Sequence, residues 1–352
     1  AYAEGKLYQR AYTLKNASDK QYATTNPPAD ANGVIIATGG NGSERLVTTI
    51  ADLTPAALVR FAKVEVQNEV EGKNEIFHLN SGGYYGGKSD SGGNGQQIEA
   101  LQNPAWAGDY TLTQRSEFNN DLVAEVSLAC NGFNLASNEG KFILSNTAPA
   151  DGNASVWQIA EATSLPVTVS EALWTALCLP VDVVVPEASV AEVYVADEAT
   201  SNKVTLRLLE AGTLLKAGEG VIIHTTEAKT FSLNISYAGT ATQDAGNVLS
   251  GATARRTGLT AKTFYGLGNK EGVAFYLSTG TEVPANKSYL LASRVPSGSN
   301  ALAFDFGTET GIGQAAGAVD PNEVYYDLRG RRVLYPSQGV FVTSKGEKVY
   351  IK

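Results

Sequence analysis

Three short segments in the first half of the chain share one pattern: YTLKN at 12–16, FHLN at 77–80 and VSLACN at 126–131. In each segment, apolar or aromatic residues stand at every second position at the start, and the segment ends on an asparagine. This pattern is typical of a half-buried strand that runs into a turn. An aromatic residue follows each segment, namely Tyr22, Tyr84 or Phe133. The three segments therefore predict three equivalent openings of a repeated unit.

A second set of strand-like segments closes each copy, and each is centred on an aromatic residue: VRFAKV at 59–64, DYTL at 109–112 and VWQI at 156–159. The closing aromatics Phe61, Tyr110 and Trp157 are spaced 49 and 47 residues apart, and the opening leucines are spaced 65 and 49 apart. Near-equal periods of this size predict one supersecondary unit present three times.

These copies resemble the β-trefoil of the ricin-B-lectin family over roughly residues 5–162. The family's Gln-x-Trp signature is absent, since Gln158 follows Trp157 and the other two closing positions hold Phe61 and Tyr110. The resemblance implies a β-trefoil whose aromatic residues meet in a central core. It does not transfer a specific sugar site.

The rest of the composition also favours an all-β chain. The 352 residues include 36 glycines and 12 prolines, and strand-like runs alternate with turn signals such as Asn131-Gly132 and the NEG at 138–140. Glycine and asparagine tolerate the positive φ angles that tight turns require. One helix is expected, over 55–64, because Pro55 at a first helical turn follows a potential N-cap, Thr54.

The organisation after the repeat changes to longer alternating strands. We interpret 1–162 as the β-trefoil-like domain, 163–306 as a β-sandwich, 307–323 as a Gly-rich linker, and 324–352 as a C-terminal β-hairpin tail. In the sandwich, the stretch GLGNKEG at 266–272 predicts a hairpin turn between two aromatic strands.

Two parts of the chain resemble exported proteins of the Bacteroidetes. The segment LWTALCLPVDVVVP at 173–186 resembles a segment that recurs in their surface proteins. The tail, with YDLRGRRV at 326–333, GVFV at 339–342 and GEKVYIK at 346–352, resembles their C-terminal modules related to sorting tails. The resemblance implies a secreted or cell-surface protein. A first residue other than methionine is also expected of a chain from which an export signal has been removed.

The net charge and the hydropathy of the chain indicate which kinds of partner to expect. The formal net charge is −9, which opposes binding to a phosphate backbone, so no nucleic-acid partner is expected. No run of about 18 apolar residues is present, so no membrane span is predicted.

The residues that usually carry catalysis are scarce. His78 and His224 lie in strand patterns in different predicted domains, and Cys130 and Cys178 have no metal-ligand spacing. We interpret the histidines as structural and the cysteines as small buried residues. The glycine patterns at 266–272 and 311–317 open no helix within a βαβ unit, so they predict turn and linker rather than a dinucleotide site. No catalytic residue, metal or cofactor is predicted.

The loop SGGYYGGKSDSGGNGQQ at 81–97 is the predicted functional surface. A glycan site needs an aromatic face for the sugar's C–H surface and planar polar groups for its hydroxyls. The candidates in and near this loop are Tyr84, Tyr85, Asp90, Asn94, Gln97 and Trp106. The alternative is a solvated Gly-rich hairpin with Tyr84 in the core.

Three functions remain open from the sequence. The leading hypothesis is a non-catalytic glycan-binding or adhesion protein of the cell envelope or secreted fraction. The second is an architectural surface protein without a small ligand. The third is a hydrolase or an accessory part of one, which predicts a cleft with two carboxylates or His224 beside Ser or Asp.

Overall fold

The structure, a computed structural model, describes residues 6–25, 45–64, 76–87, 93–101, 103–119, 123–296, 299–306, 312–313, 324–326, 332–333, 339–343 and 348–351. Regular structure in these ranges is almost entirely β, and the one α-helix that they contain is α1, Lys6–Gln9. Single 3-10 turns occur at Pro55–Ala57, Pro104–Trp106 and Ala292–Arg294. The predicted all-β class is confirmed.

The described residues of the first unit form thirteen strands in one sheet. They are β1 Ala11–Asn16, β2 Tyr22–Thr24, β3 Arg45–Leu46, β4 Thr48–Ile50, β5 Val59–Lys63, β6 Phe77–Asn80, β7 Tyr84–Tyr85, β8 Glu99–Leu101, β9 Tyr110–Gln114, β10 Val123–Cys130, β11 Phe133–Asn138, β12 Lys141–Ser145 and β13 Trp157–Glu161.

Six of these strands close into a ring. Going around it, β1 pairs with β5, β5 with β6, β6 with β9, β9 with β10, β10 with β13, and β13 returns to β1, all antiparallel. Three further pairs, β2–β4, β7–β8 and β11–β12, extend from the ring as hairpins. Each of three successive parts of the chain therefore has a ring strand, a hairpin pair and a second ring strand, and in the first part β3, which pairs with β8, lies between the two hairpin strands.

One apolar core fills this unit. Phe61, Tyr110 and Trp157 are at most 3% exposed and belong to the same buried cluster as the opening leucines. The Trp157 indole donates to Leu135 O at 2.8 Å, and the Tyr110 hydroxyl donates to Gly86 O. Each polar aromatic thus donates to a carbonyl in or beside the first hairpin strand of its own copy, as a buried Tyr or Trp requires.

Of the local predictions, the tight turns are present in the structure and the helix is not. The turns at 131–132 and 139–140 have positive φ at both residues, as predicted for tight hairpins. The helix expected over 55–64 is wrong: only Pro55–Ala57 forms a 3-10 turn, Thr54 makes no side-chain cap, and Val59–Lys63 is strand β5. Its β-branched and aromatic residues gain more from pairing with β1 and β6 than from a helix.

The second unit contains thirteen further strands. They are β14 Ser164–Val169, β15 Trp174–Cys178, β16 Val183–Val184, β17 Glu192–Ala199, β18 Lys203–Leu208, β19 Leu214–Leu215, β20 Gly220–His224, β21 Lys229–Asn234, β22 Ser250–Ala252, β23 Phe264–Asn269, β24 Val273–Leu277, β25 Lys287–Leu291 and β26 Ala301–Asp305. Nine form one sheet in the order β15-β20-β17-β18-β26-β24-β23-β25-β22, and β14–β21 and β16–β19 form two small sheets. The predicted hairpin between aromatic strands is β23–β24.

Strand β17 shows how this unit is layered. Val193 and Val195 face a core shared with β14 and β21, while Tyr194 and Ala196 face a second core shared with β23 to β26. A strand buried on both faces is apolar throughout rather than alternating, which explains the run EVYVA.

The tail residues also form strands: β27 Ile312–Gly313, β28 Tyr325–Tyr326, β29 Arg332–Val333, β30 Gly339–Thr343 and β31 Lys348–Ile351. They make a five-stranded sheet in the order β27-β31-β30-β28-β29. Residues 312–313 fall within the predicted linker, yet β27 pairs in parallel with β31, so this part of the linker prediction is corrected.

Tyr237 joins the first two units. Its hydroxyl donates to Ala162 O at 2.6 Å and lies 3.2 Å from both Ala11 N and Ala11 O, and the Arg10 guanidinium stacks over its ring at 4.8 Å. Ala11, Leu58 and Ala162 of the first unit also belong to the apolar core beneath β14 and β21. The two units therefore share buried contacts.

Replacing Tyr237 by phenylalanine is expected to lower the free energy of unfolding by about 1–3 kcal/mol, because the buried Ala162 carbonyl loses its donor. Tyr276→Phe is the matched control, because the Tyr276 hydroxyl donates to Gly272 O at 2.7 Å in an exposed turn. Urea unfolding followed by circular dichroism measures both variants. An equal and small decrease in the free energy of unfolding of both variants would contradict the role of Tyr237 in joining the units.

Candidate functional site

The predicted glycan loop does not form a single surface. Tyr85 is fully buried, contacts the Phe142 ring edge-on at 5.4 Å and bonds Ser81 Oγ through its hydroxyl at 3.1 Å. The prediction that Tyr85 contacts a ligand is therefore wrong, because its ring belongs to the core. Asp90 lies outside the described residues.

The other candidates are placed apart. Asn94 Oδ1 accepts from Asn146 N at 2.8 Å, and Gln97 Nε2 donates to Val47 O at 2.8 Å, so both amides hold the loop against neighbouring segments. Trp106 is 62% exposed at the end of the 3-10 turn that Asn103 caps. Tyr84 is half-buried and lines a cleft that Trp106 does not reach.

This cleft, which we name the Tyr84 cleft, is built on a row of paired residues. Arg60 on β5 is the register partner of Asn80 on β6, and Asn80 is the partner of Tyr84 on β7. Directly opposed residues of antiparallel strands point to the same face with Cβ atoms about 4.5–5.5 Å apart. A guanidinium, a carboxamide and a phenol ring therefore stand side by side.

Buried contacts fix the turn that carries Tyr84. Gly82 N donates to Asn80 Oδ1 at 3.2 Å, and Thr25 Oγ1 donates to Ser81 O at 2.6 Å. Gly82 has φ +86°, which favours glycine, and a Cβ there would lie 3.2 Å from Thr253 O of the second unit. The turn bond uses Asn80 Oδ1, which leaves the two N–H donors of the Asn80 amide for a ligand of the cleft.

The Tyr84 cleft lies between the two units and has a volume of about 690 Å³. The first unit contributes Tyr8, Arg60, Phe61, Ala62, Lys63, Asn80, Gly82 and Tyr84 to its lining, and the second unit contributes Pro180, Ala217, Gly218, Thr253 and Ala254. Clefts of this size between domains are common ligand sites.

The charged residues that line the cleft have one sign. Arg60 and Lys63 are the charged side chains among its described lining residues, and both are positive. Surrounding protein desolvates the Arg60 guanidinium, which lowers its pKa, although the residue keeps an exposed face. The charges of Tyr237 and Asp182 act on Arg60 through space and raise its pKa, but by less than the loss of solvent lowers it.

Among the described residues, His224 pairs with a carboxylate. His224 Nδ1 lies 2.7 Å from Glu192 Oε2, and its ring stacks on Trp174 with centroids 4.2 Å apart. Glu192 also accepts from the Tyr194 hydroxyl at 3.0 Å. No described serine hydroxyl bonds to His224, so this cluster offers an acid–base pair without a nucleophile.

The two cysteines are buried and unpaired with each other. Burial raises the pKa of Cys130 to about 11 and that of Cys178 to about 12. Both thiols are therefore protonated near neutral pH, which makes them poor nucleophiles.

A smaller cleft of about 390 Å³ lies between β15, β23 and β25, where Trp174, Leu267, Val273 and Pro284 form much of its wall. Its lining is more apolar than that of the Tyr84 cleft, and Glu282 there is already ion-paired with Arg255. We therefore regard the Tyr84 cleft as the better candidate for a polar ligand.

The described residues contain no group of three or more His, Cys, Asp or Glu side chains arranged to hold a metal ion. None of their helices is both long enough and apolar enough to cross a membrane. No protein-family model matches the chain, and no curated protein matches it.

The sequence pointed to Tyr84 but missed Arg60, Asn80 and Tyr8. The alternation along VRFAKV places Arg60 on the outer face of its strand, which was a usable signal. Its proximity to Tyr84 depends on the β5–β6–β7 register, which links residues far apart in the chain and which no local pattern shows.

Proposed function

We propose that this chain is a non-catalytic glycan-binding protein of the cell envelope or secreted fraction, and that residues 11–161 form a β-trefoil of the ricin-B-lectin kind. The ring of six strands with three hairpins supports the trefoil proposal. The sequence resemblance of the first unit and of the tail supports the exported lectin-like character.

The observation that carries the binding proposal is the Arg60–Asn80–Tyr84 row within an inter-unit cleft. Sugar rings present a C–H face that packs on aromatic rings, and hydroxyls that need planar donors and acceptors. Tyr84 offers the ring, and Asn80 and Arg60 offer the donors. The rigid turn beneath Tyr84 reduces the ordering cost of binding.

The test is a glycan array followed by titration calorimetry on the saccharides that bind. Truncating an aromatic anchor commonly costs more than 1–2 kcal/mol, so Tyr84→Ala should lower affinity about tenfold or more. Tyr84→Phe should retain most of it, because the ring stays.

Trp106→Ala is the matched control, since it removes an exposed aromatic of the same unit outside the cleft. It should leave affinity unchanged. Absence of saccharide binding on the array would remove the proposed function. Binding that is lost in Trp106→Ala and kept in Tyr84→Ala would move the site away from the cleft.

A further inference from the structure

The charge of the Tyr84 cleft differs in sign from that of the whole chain. The chain has a net charge of −9, yet both charged side chains among the described residues of the cleft are cations. A long-range field from the chain as a whole would repel an anion rather than attract it. Any preference of this cleft for anions must therefore come from contacts at short range.

Arg60 has no ion-pair partner among the described residues. Asp182 is the carboxylate that acts on it, and only through space. The Asp182 oxygens accept from Ala217 N at 2.7 Å and from Lys216 Nζ at 3.4 Å. In contrast, Arg10, which lies one residue before the register partner of Arg60, is ion-paired with Glu161.

The Arg60 guanidinium is partly desolvated by the surrounding protein yet keeps an exposed face, so a ligand in the cleft can reach it. An anionic group that entered the cleft would supply the missing partner. The planar fork of arginine binds a carboxylate or a sulfate through two parallel N–H···O bonds, which are shorter and stronger than neutral ones.

The neighbours of Arg60 define what else the ligand must carry. Asn80 and Tyr84 are consecutive register partners on the same face, so an anion at Arg60 places the adjoining atoms of its carrier beside an amide and an aromatic ring. A pyranose ring with an anionic substituent matches this row. A small inorganic anion would use Arg60 alone and leave Tyr84 without a contact.

We propose that the Tyr84 cleft binds acidic glycans, with Arg60 holding a carboxylate or sulfate group and Tyr84 packing on the sugar ring that bears it. This inference rests on the proposed glycan-binding function and specifies its ligand class.

The test compares oligosaccharides of equal length that differ in charge. Titration calorimetry of the full chain in low-salt buffer uses a galacturonic acid oligomer, a galactose oligomer and a sulfated galactose oligomer. At least one acidic oligomer should bind about tenfold or more tightly than the neutral one, and added salt should weaken that preference. The galacturonate and sulfate arms separate the two possible anionic groups.

Variants assign the preference to one residue. Arg60→Gln should remove most of the preference for the acidic oligomer, and Arg60→Lys should retain part of it, since lysine keeps the charge but not the fork. Arg115→Gln is the matched control. It makes the same change in net charge on the same unit, at an exposed pair with Asp151, and should leave the preference intact. Circular dichroism verifies that each variant folds.

The outcomes separate this inference from the proposed function. Equal binding of acidic and neutral oligomers, or an acidic preference that survives Arg60→Gln, would overturn the inference and leave glycan binding in place. Failure of all three oligomers on a protein that binds other, neutral saccharides would also overturn it. Failure of every saccharide would overturn the proposed function itself.

Discussion

Replacing Trp157 by alanine should lower the free energy of unfolding of the first unit by about 3–5 kcal/mol, the range for removing a large aromatic from a packed core. The side chain is fully buried on β13, and its ring lies 4.9 Å from that of Phe142. The variant leaves a cavity and also removes the donor to Leu135 O. Guanidinium unfolding followed by far-UV circular dichroism measures the loss.

Trp106→Ala is the control for the stability measurement, because the same atoms are removed from a site that is 62% exposed. Surface changes of this kind usually stay within about 0.5 kcal/mol. If Trp157→Ala were as mild as Trp106→Ala, the ring of six strands would not be packed around Trp157, and the account of the first unit would fail.

The second large effect is expected from Gly251→Ala on β22. A Cβ at Gly251 would overlap Gly218 O and Cys178 Sγ, and Gly218 O is backbone that no side-chain rotation can move. Overpacking of this kind costs about 1–3 kcal/mol and occasionally more, and we expect about 3 kcal/mol or a failure to fold. Gly218 also lines the Tyr84 cleft, so a variant that folds should bind glycans more weakly.

Gly266→Ala provides the comparison for Gly251→Ala. It lies in the same unit, has no atom within 4 Å of the added Cβ and does not require a positive φ. The unfolding temperature of Gly266→Ala should lie close to that of the parent protein, and the unfolding temperature of Gly251→Ala should lie far below it. Similar unfolding temperatures for the two variants would show that β22 does not approach Gly218 as described.

The fold class was predictable because period-two alternation and turn chemistry are local. The turn at 131–132 follows from Asn and Gly at positions that require positive φ, and the turn at 139–140 follows from Gly140, with Glu139 also at positive φ. The helix expected at 55–64 failed because Pro55 and Thr54 are valid start signals for either a helix or a single turn. Pairing of Val59–Lys63 with two other strands decides between them, and that pairing is a long-range effect.

The candidate site was only partly predictable, for a similar reason. The sequence contains two adjacent tyrosines, and the alternation of side chains along a strand requires them to point to opposite faces. Which face is the core depends on register, and the structure buries Tyr85 and leaves Tyr84 at the cleft. The wall of the Tyr84 cleft that the second unit forms comes from residues about 100 or more positions later in the chain. No sequence pattern near Tyr84 therefore indicates it.

The most direct test of this account is a crystal structure of the protein with the acidic oligosaccharide that it binds most tightly. We predict density for the anionic group at the Arg60 guanidinium and for a sugar ring against Tyr84, within bonding distance of Asn80. Density for the oligosaccharide at another surface, such as that around Trp106, with none in the Tyr84 cleft, would contradict the account.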